Sequence, residues 1–309
     1  MSSLVWTAEG TAGWLGGLDE RLEIVEIPQD PMADPRLDEV RVLIPPLMRN
    51  SGDERYDLKA LMESAKSLEY VQALSAGVDG IVGAVPDRVL LCSVRGAYDQ
   101  LMAELLLAGI LGAYKELPHY VHAQDVGSWE PKLVRVLRGA TVLFVGYGSI
   151  AQCLERHLAP FEVTVRKVAR TARGDIASLA DLPGLLPSAD VVVVLTPLTA
   201  ETRGLVDAGF LGRMKSGALL VNGARGACVD TDALVSAARG RGIQAFLDVT
   251  DPEPLPAAHP LWSAPGVFIT PHVGSYVADN QELCFQVVRS NLTRWIEGGE
   301  PANRVEHGY

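Results

Sequence analysis

Three stretches of this chain each contain a side chain that can do chemistry. They are Val221–Asp230 with Arg225, Leu247–Pro256 with Glu253, and Thr270–Ser275 with His272. An arginine can bind an anion, a carboxylate can stabilise an imidazolium, and a histidine can move a proton near neutral pH. Taken singly, they could be a surface charge, part of a rigid Asp-Pro-Glu-Pro loop and a buried histidine. Taken together, they form a candidate site for proton transfer to an anionic substrate.

A glycine-rich turn is the second chemical feature. The apolar run Val142–Val145 leads directly into the residues GYGSIA and then into a helix-like stretch, a GxGxxG pattern with alanine in third place. Gly146 permits a tight turn, and Gly148 lets the backbone approach a pyrophosphate. Ser149 and Ile150 open the helix, whose N-terminus binds phosphate. The turn therefore predicts a dinucleotide site.

The residues after this turn bear on which dinucleotide binds. An acidic residue that holds the ribose 2′-hydroxyl is expected about 20 residues on. Ala169 stands there instead, and the side chains around it are cationic or hydroxylic: Arg166, Lys167, Arg170, Thr171 and Arg173. Such groups bind a 2′-phosphate, which a carboxylate would repel. We predict NADP(H), with NAD(H) as the alternative because Asp175 could swing back to the ribose.

The elements that must position these residues are short apolar runs that alternate with helix-like stretches. The runs are Leu22–Ile27, Val40–Ile44, Thr141–Val145, Val163–Val168, Val191–Leu195, Ala218–Val221, Gln244–Val249 and Val267–Thr270. Such continuous apolar strands are covered on both faces, which predicts an α/β fold with doubly wound parallel sheets. An apolar helix over residues 98–114 is predicted to be buried in a core or a subunit interface. A long helix over 276–296 is predicted to return to the first domain, which would therefore consist of residues 1–97 and 280–309, with 98–279 as the second.

The composition argues against several classes of binding partner. The chain has 309 residues, 48% hydrophobic and 21% charged, with a formal net charge of −11. This excess of acid opposes non-specific binding of nucleic acid. The apolar stretch Leu101–Tyr114 is too short to span a bilayer, so no membrane partner is expected. Four scattered cysteines, and the pair His119 and His122 without a third ligand, predict no metal site. We expect a cytoplasmic protein with reduced thiols.

From Leu74 to Ser275 the chain resembles the D-isomer-specific 2-hydroxyacid dehydrogenases, a family that includes glyoxylate/hydroxypyruvate reductases. The resemblance is carried by LSAGVD at 74–79, the GYGSIA turn, TPLT at 196–199 and the three stretches named above, all in the family's order. It implies a Rossmann NAD(P)-binding domain inserted into a flavodoxin-like substrate domain. It also implies a homodimer that acts on a small 2-keto or 2-hydroxy acid.

The resemblance further implies a role for individual residues. Arg225 would bind the substrate carboxylate and the 2-keto oxygen, while His272, paired with Glu253, would protonate that oxygen as hydride arrives. The backbone N–H groups of Ala76 and Gly77 would also bind the carboxylate. The cofactor would be contacted by Asp248, at the nicotinamide carboxamide, and by Thr196, Pro197, Ala224 and Gly274.

The chain departs from the family at Ala169, described above, and at Thr250, and three alternative functions remain. Thr250 stands where family members commonly carry phenylalanine, and the apolar segment Pro45–Met48 would form a pocket lip that favours a side chain larger than hydrogen on the keto acid. Formate dehydrogenases of the same superfamily pair the histidine with glutamine, so Glu253 argues against that activity. Phosphite dehydrogenases have a similar triad. A non-catalytic, NAD(P)-sensing protein like the C-terminal-binding corepressors shares the fold and the triad.

Overall fold

The computed structural model describes residues 2–47 and 57–306, which form two compact units. One comprises Met1–Tyr98 and Val277–Tyr309, and the other, Asp99–Tyr276, is inserted between these two pieces. The sequence predicted domain boundaries at 97/98 and 279/280. No helix in the part of the chain that the structure describes is long and apolar enough to cross a membrane.

The strands and helices follow in chain order. The strands are β1 Ser3–Thr7, β2 Leu22–Glu26, β3 Val40–Ile44, β4 Tyr70–Gln72, β5 Leu90–Cys92, β6 Thr141–Val145, β7 Thr164–Ala169, β8 Ala177–Ser178, β9 Val191–Val194, β10 Leu219–Asn222, β11 Gln244–Leu247 and β12 Val267–Ile269. The α-helices are α1 Leu58–Ser64, α2 Asp99–Tyr114, α3 Leu117–Asp125, α4 Ser149–Leu158, α5 Leu182–Leu185, α6 Ala208–Arg213, α7 Thr231–Arg241 and α8 Asn280–Ile296. The last helix therefore begins four residues later than the sequence predicted.

The first unit is built on a parallel sheet in the order β2-β1-β3-β4-β5. This is the flavodoxin-like order 2-1-3-4-5, which confirms the predicted fold class. Every residue of β1 is buried, and Trp6 and Tyr70 are fully enclosed in this unit. Strands β1, β4 and β5 were not predicted from the sequence.

The second unit has a parallel sheet in the order β12-β11-β10-β9-β6-β7-β8. Numbered from β6, this is the Rossmann order 3-2-1-4-5-6 with one further strand at the edge, as the sequence predicted. Successive residues of β6 point into different cores: Val142 and Phe144 into one, Leu143 and Val145 into the other. Apolar layers on both faces explain why its central strands are apolar throughout. The strand order reverses between β6 and β9, so ligands are expected at the carboxyl ends of these strands.

Helix α2 belongs to the core of this second unit. It packs on β10 and β11 and against α4, with Leu106 and Ile110 fully buried. Gly109 makes the close approach to the sheet feasible, because a Cβ there would lie 2.0 Å from the ring of Phe246. Of the two settings predicted for this helix, core and subunit interface, the structure shows the core.

The two glycines of α2 give a matched test of this packing. We expect Gly109→Ala to lower the free energy of unfolding by about 1–3 kcal/mol, since the methyl group overpacks against Phe246. Gly112→Ala should raise it by up to about 1 kcal/mol, because its Cβ would meet nothing closer than 4.0 Å and alanine favours a helix. Urea unfolding followed by circular dichroism measures both, and equal stability of the two variants would contradict the packing described.

Candidate active site

The turn after β6 requires glycine at its first position. Gly146 has φ +95°, and a Cβ there would lie 2.6 Å from the carbonyl carbon of Leu195, at the end of β9. Its N–H donates to the carbonyl oxygen of Val168 on β7, at 2.9 Å. Ala151, the third small residue, is fully buried where α4 packs. The turn is therefore held against both neighbouring strands, as a phosphate-binding loop must be.

Gly148 is a glycine that the protein's own packing does not require. Its φ is −99°, which any residue adopts, and nothing lies within 4 Å of the position where a Cβ would be. Ser149 and Ile150 open α4 directly behind it, and the Ser149 hydroxyl donates to Asp99 Oδ1 at 3.0 Å. Open space before a helix N-terminus fits a pyrophosphate that approaches the backbone closely. The turn thus fits the dinucleotide predicted from the sequence.

Alanine substitutions should separate the roles of these two glycines. We expect Gly148→Ala to leave the melting temperature unchanged but to raise the Kd for NADPH about tenfold or more, because the methyl group occupies the phosphate approach. Gly146→Ala should instead destabilise the fold, since it combines a positive φ with a backbone clash. Thermal melting and fluorescence titration with NADPH distinguish them. An unchanged NADPH affinity in Gly148→Ala would contradict the assignment.

The cations on and after β7 differ in what they contact. Lys167 is committed to protein carboxylates: its Nζ lies 3.0 Å from Glu155 and 3.2 Å from Asp175, and 4.8 Å from the centre of the Tyr147 ring. The hydrogen bond to Glu155 is the main cause that raises the pKa of Lys167. Lys167 is therefore not one of the cations left for a ligand phosphate, although the sequence grouped it with them.

Arg170 and Thr171, beyond the end of β7, remain available to a ligand. Arg170 and Thr171 directly follow Ala169, the last residue of β7, and both are exposed. Their side chains make no hydrogen bond or ion pair with any residue in 2–47 or 57–306. Asp175, the residue that could have swung back to a ribose, is held by Lys167 instead.

The far end of the predicted cofactor site is centred on Asp248, which follows β11 and is 1% exposed. Its Oδ2 accepts a hydrogen bond from the N–H of Gly274 at 3.0 Å. A Cβ on Gly274 would lie 2.0 Å from Met102 Sδ, on α2. Met102 is therefore a neighbour of this site that the sequence did not reveal, because an apolar residue on an apolar helix carries no distinguishing signal.

The other predicted cofactor residues lie at the carboxyl ends of β9 and β10. Thr196 is buried, and its hydroxyl points to Cys228 Sγ at 3.9 Å. The carbonyl oxygen of Pro197 accepts a hydrogen bond from Thr202. Ala224 is also buried, and its N–H donates to Asn222 Oδ1 at 3.1 Å. The sheet thus gathers these residues at the edge where the Rossmann topology places ligands.

Glu253 and His272 form a direct pair. The distance from Glu253 Oε1 to His272 Nδ1 is 2.6 Å, and the histidine side chain is about half exposed. The pair uses Nδ1, so Nε2 is the ring nitrogen left for a substrate; no described residue hydrogen-bonds to it. This arrangement can hold an imidazolium and deliver its second proton to a bound oxygen.

Arg225 is held in the neighbouring loop by a buried amide. Asn222, the last residue of β10, donates from Nδ2 to the carbonyl oxygen of Arg225 at 2.9 Å. Next to it, a Cβ on Gly226 would lie 1.9 Å from the carbonyl oxygen of Thr250, so the two loops touch. The structure therefore brings the loops of Arg225, Glu253 and His272 together. Asn222 was missed, although a polar residue that ends an apolar strand was a signal for it.

The remaining predicted residues belong to other segments of the chain. Ala76 and Gly77 belong to the first unit, between β4 and β5, where Ser75 Oγ donates to the carbonyl oxygen of Gly77 at 2.6 Å. Pro45–Leu47 follow β3, whereas Met48 lies outside the described residues, as does His307. The structure shows no cluster of metal-binding side chains within 2–47 and 57–306.

The cysteines do not suit nucleophilic chemistry. All four are free and buried. Burial raises the pKa of Cys92 to about 12 and also raises the pKa of Cys228 and Cys284. A thiol needs a lowered pKa to act as a nucleophile near pH 7. Proton transfer at His272 therefore remains the chemistry that the site supports best.

Comparison with known proteins gives consistent matches. Residues 107–274 match the model of the D-isomer specific 2-hydroxyacid dehydrogenase, NAD binding domain. The chain is 29% identical to glyoxylate/hydroxypyruvate reductase A of Yersinia enterocolitica over 95% of this chain and 94% of that protein.

Two solved structures extend the comparison to the whole fold. A D-isomer specific 2-hydroxyacid dehydrogenase from Xanthobacter autotrophicus Py2, in complex with NADPH and MES, is 31% identical with a TM-score of 0.82 and covers 100% of this chain and 99% of its own. An NADPH-dependent glyoxylate/hydroxypyruvate reductase from Sinorhizobium meliloti, in complex with NADP and malonate, is 25% identical with a TM-score of 0.79, at coverages of 98% and 96%.

Proposed function

We propose that this chain, which belongs to the D-isomer-specific 2-hydroxyacid dehydrogenase family, reduces a small 2-keto acid to the D-2-hydroxy acid with NADPH. Membership makes it an NAD(P)-dependent oxidoreductase that acts on hydroxyl groups of 2-hydroxy acids. The observation that carries the finer proposal is the Glu253–His272 pair, at 2.6 Å, in a loop cluster that also contains Arg225.

Arg225, His272 and Glu253 each have a separate role in the proposed reaction. The guanidinium of Arg225 binds the substrate carboxylate and the keto oxygen, which neutralises charge as that oxygen becomes an alkoxide. His272 donates its Nε2 proton to the same oxygen, and Glu253 stabilises the imidazolium beforehand. The nicotinamide, when bound, supplies the hydride that reaches C2. Ala76 and Gly77 remain the predicted backbone donors to the carboxylate.

The preference for NADP(H) is supported by the edge of β7. No carboxylate stands at Ala169, Arg170 and Thr171 are exposed beyond it, and Asp175 is engaged by Lys167. The Xanthobacter and Sinorhizobium proteins are described with NADPH and NADP. We propose that Arg170 and Thr171 bind the 2′-phosphate, with NAD(H) as the weaker cofactor.

Substitution of Arg170 tests that assignment. We expect Arg170→Ala to raise the KM for NADPH about 10- to 100-fold, because the variant loses a charged hydrogen bond to the phosphate. The KM for NADH should stay within about twofold, because NADH has no 2′-phosphate for the arginine to bind. Steady-state kinetics with each cofactor measures the ratio. A parallel rise in the two KM values would refute a role at the 2′-phosphate.

The proposed function is tested by turnover with a panel of acids. The wild-type chain should oxidise NADPH in the presence of glyoxylate, hydroxypyruvate and larger 2-keto acids, and faster than it oxidises NADH. If the apolar segment at Pro45–Leu47 shapes the pocket, kcat/KM should favour substrates larger than glyoxylate. Oxidation of phosphite or formate alone, or NADPH binding without any turnover, would replace the proposal by one of the alternatives.

We also propose that the protein is a cytoplasmic homodimer. Much of the apolar face of α2 packs in the core, so we propose that a second copy binds at another surface. Helix α3 and the residues after it offer one, because Val121, Val126, Trp129 and Leu133 are all exposed. Sedimentation analysis should give twice the chain mass, and the double substitution Trp129→Ser with Leu133→Ser should shift it to a monomer. Free, buried cysteines suit a reducing compartment.

A further inference from the structure

The backbone of His272 lies in a conformation that it would not hold unaided. Its φ is +54°, in the left-handed region, where a residue with a side chain pays a local energy cost. Its N–H donates to the carbonyl oxygen of Asp248 at 2.7 Å. Such a backbone persists only when surrounding contacts determine it, so the groups that hold residues 270–274 decide where the imidazole points.

The carboxylate of Asp248 accepts three of these contacts. Oδ1 of Asp248 accepts from the hydroxyl of Thr270 at 2.7 Å and from the N–H of Val273 at 2.9 Å. Oδ2 accepts from the N–H of Gly274 at 3.0 Å. The buried carboxylate is thus bound to residues on either side of His272. Hydrogen bonds to an ionised acceptor are the stronger kind, so this set fixes the turn firmly.

Thr270 differs from the other donors in this set. The donors from Val273 and Gly274 are backbone N–H groups, which any residue except proline would supply. Thr270 alone, among the described residues, donates to the Asp248 carboxylate from a side chain. This hydrogen bond therefore depends on the residue type at position 270. Without the hydroxyl, Oδ1 would lose one of its two partners. The segment before His272 would keep the backbone hydrogen bond from the Thr270 N–H to Leu247 of β11, at 2.9 Å, but would lose its side-chain bond to Asp248.

We infer that Thr270 is a positioning residue which, through Asp248, holds His272 with Nδ1 on Glu253 and Nε2 toward the substrate. This inference rests on the proposed function, because it assigns His272 the proton transfer. It also distinguishes the two oxygens of Asp248. Oδ1 accepts two hydrogen bonds from the histidine turn, whereas Oδ2 accepts one from the described residues and retains capacity for the cofactor. Loss of the Thr270 hydroxyl should therefore affect turnover more than cofactor binding.

The test compares Thr270→Val, which keeps the shape and removes the hydroxyl, with Thr270→Ser, which keeps the hydroxyl. We expect Thr270→Val to lower kcat for keto acid reduction about 10- to 100-fold, as misplacement of a catalytic group does. The KM and Kd for NADPH should stay within about threefold. Thr270→Ser should restore kcat to within about threefold of wild type. Ser216→Ala, which removes a 2.8 Å hydroxyl bond to Arg241 before β10, should retain wild-type kcat.

The outcomes distinguish a failure of the inference about Thr270 from a failure of the proposed function. The inference is overturned if Thr270→Val turns over like wild type, if the serine variant falls as far as the valine variant, or if NADPH affinity falls while kcat holds. Should Thr270→Val fold poorly, the serine variant still decides, since its kcat must track the retained hydroxyl. Absence of keto acid reduction by the wild-type chain would contradict the proposed function itself.

Discussion

Replacement of His272 by asparagine is expected to lower kcat for keto acid reduction by about 10²- to 10⁴-fold, the usual contribution of a general acid. Asparagine is the sharper choice than alanine because it tolerates the left-handed backbone that His272 adopts at φ +54°. The fold and the NADPH affinity should therefore survive, and only the proton donor is lost. Steady-state kinetics at saturating NADPH, with fluorescence titration of the cofactor, measures the two effects separately.

Another histidine in the same unit provides the control. His157 lies in the last turn of α4, where its Nε2 is 3.0 Å from Gln100 Oε1. We expect His157→Ala to keep wild-type kcat within about twofold, because that end of the helix points away from the carboxyl edge of the sheet. If His272→Asn retained more than a tenth of wild-type kcat, the proton would have to come from another group.

Replacement of Arg225 by glutamine should have the second large effect, on kcat/KM for the keto acid. We expect kcat/KM for the keto acid to fall about 10²- to 10³-fold, which corresponds to two charge-assisted hydrogen bonds of roughly 1.5–3 kcal/mol each, partly offset by the amide. The kcat/KM of Arg225→Lys should lie between those of wild type and Arg225→Gln, because lysine retains the charge but not the planar pair of donors. The Kd for NADPH should not change.

The control for this substitution is an exposed arginine in the same unit. Arg239 lies in the last turn of α7, and Arg239→Gln should leave kcat/KM unaltered. The kinetics should be repeated at several ionic strengths, because a loss confined to low salt would indicate general steering of an anion. Wild-type kcat/KM in Arg225→Gln would remove Arg225 from the site.

The local elements were predictable where one local cause determines them. The runs of β6, β9, β10 and β11 are apolar because helices cover both faces of that sheet, and this cause is visible in sequence. By contrast, β4 and β5 are only three residues long. They become strands because they pair with neighbours in the first sheet, which no local pattern encodes.

The site shows the same division. Gly146 could be assigned from sequence, because a positive φ and a close backbone approach demand glycine wherever a strand turns tightly into a helix. The ion pairs of Lys167 could not be predicted from sequence, because its partners Glu155 and Asp175 reach it only when α4 and the segment after β7 fold beside it. Its charge alone suggested a phosphate ligand, and the folded chain uses it as an internal ion pair.

Sequence by itself determined which chemical groups this protein has, their order along the chain, and the central strands of the second sheet, because residue type and apolar period act locally. Only the tertiary structure decided which of those groups meet. Parallel strands in the Rossmann order bring the loops after β10, β11 and β12 to one edge. There Glu253 meets His272, and Thr270 meets Asp248, across separations that only chain packing can close.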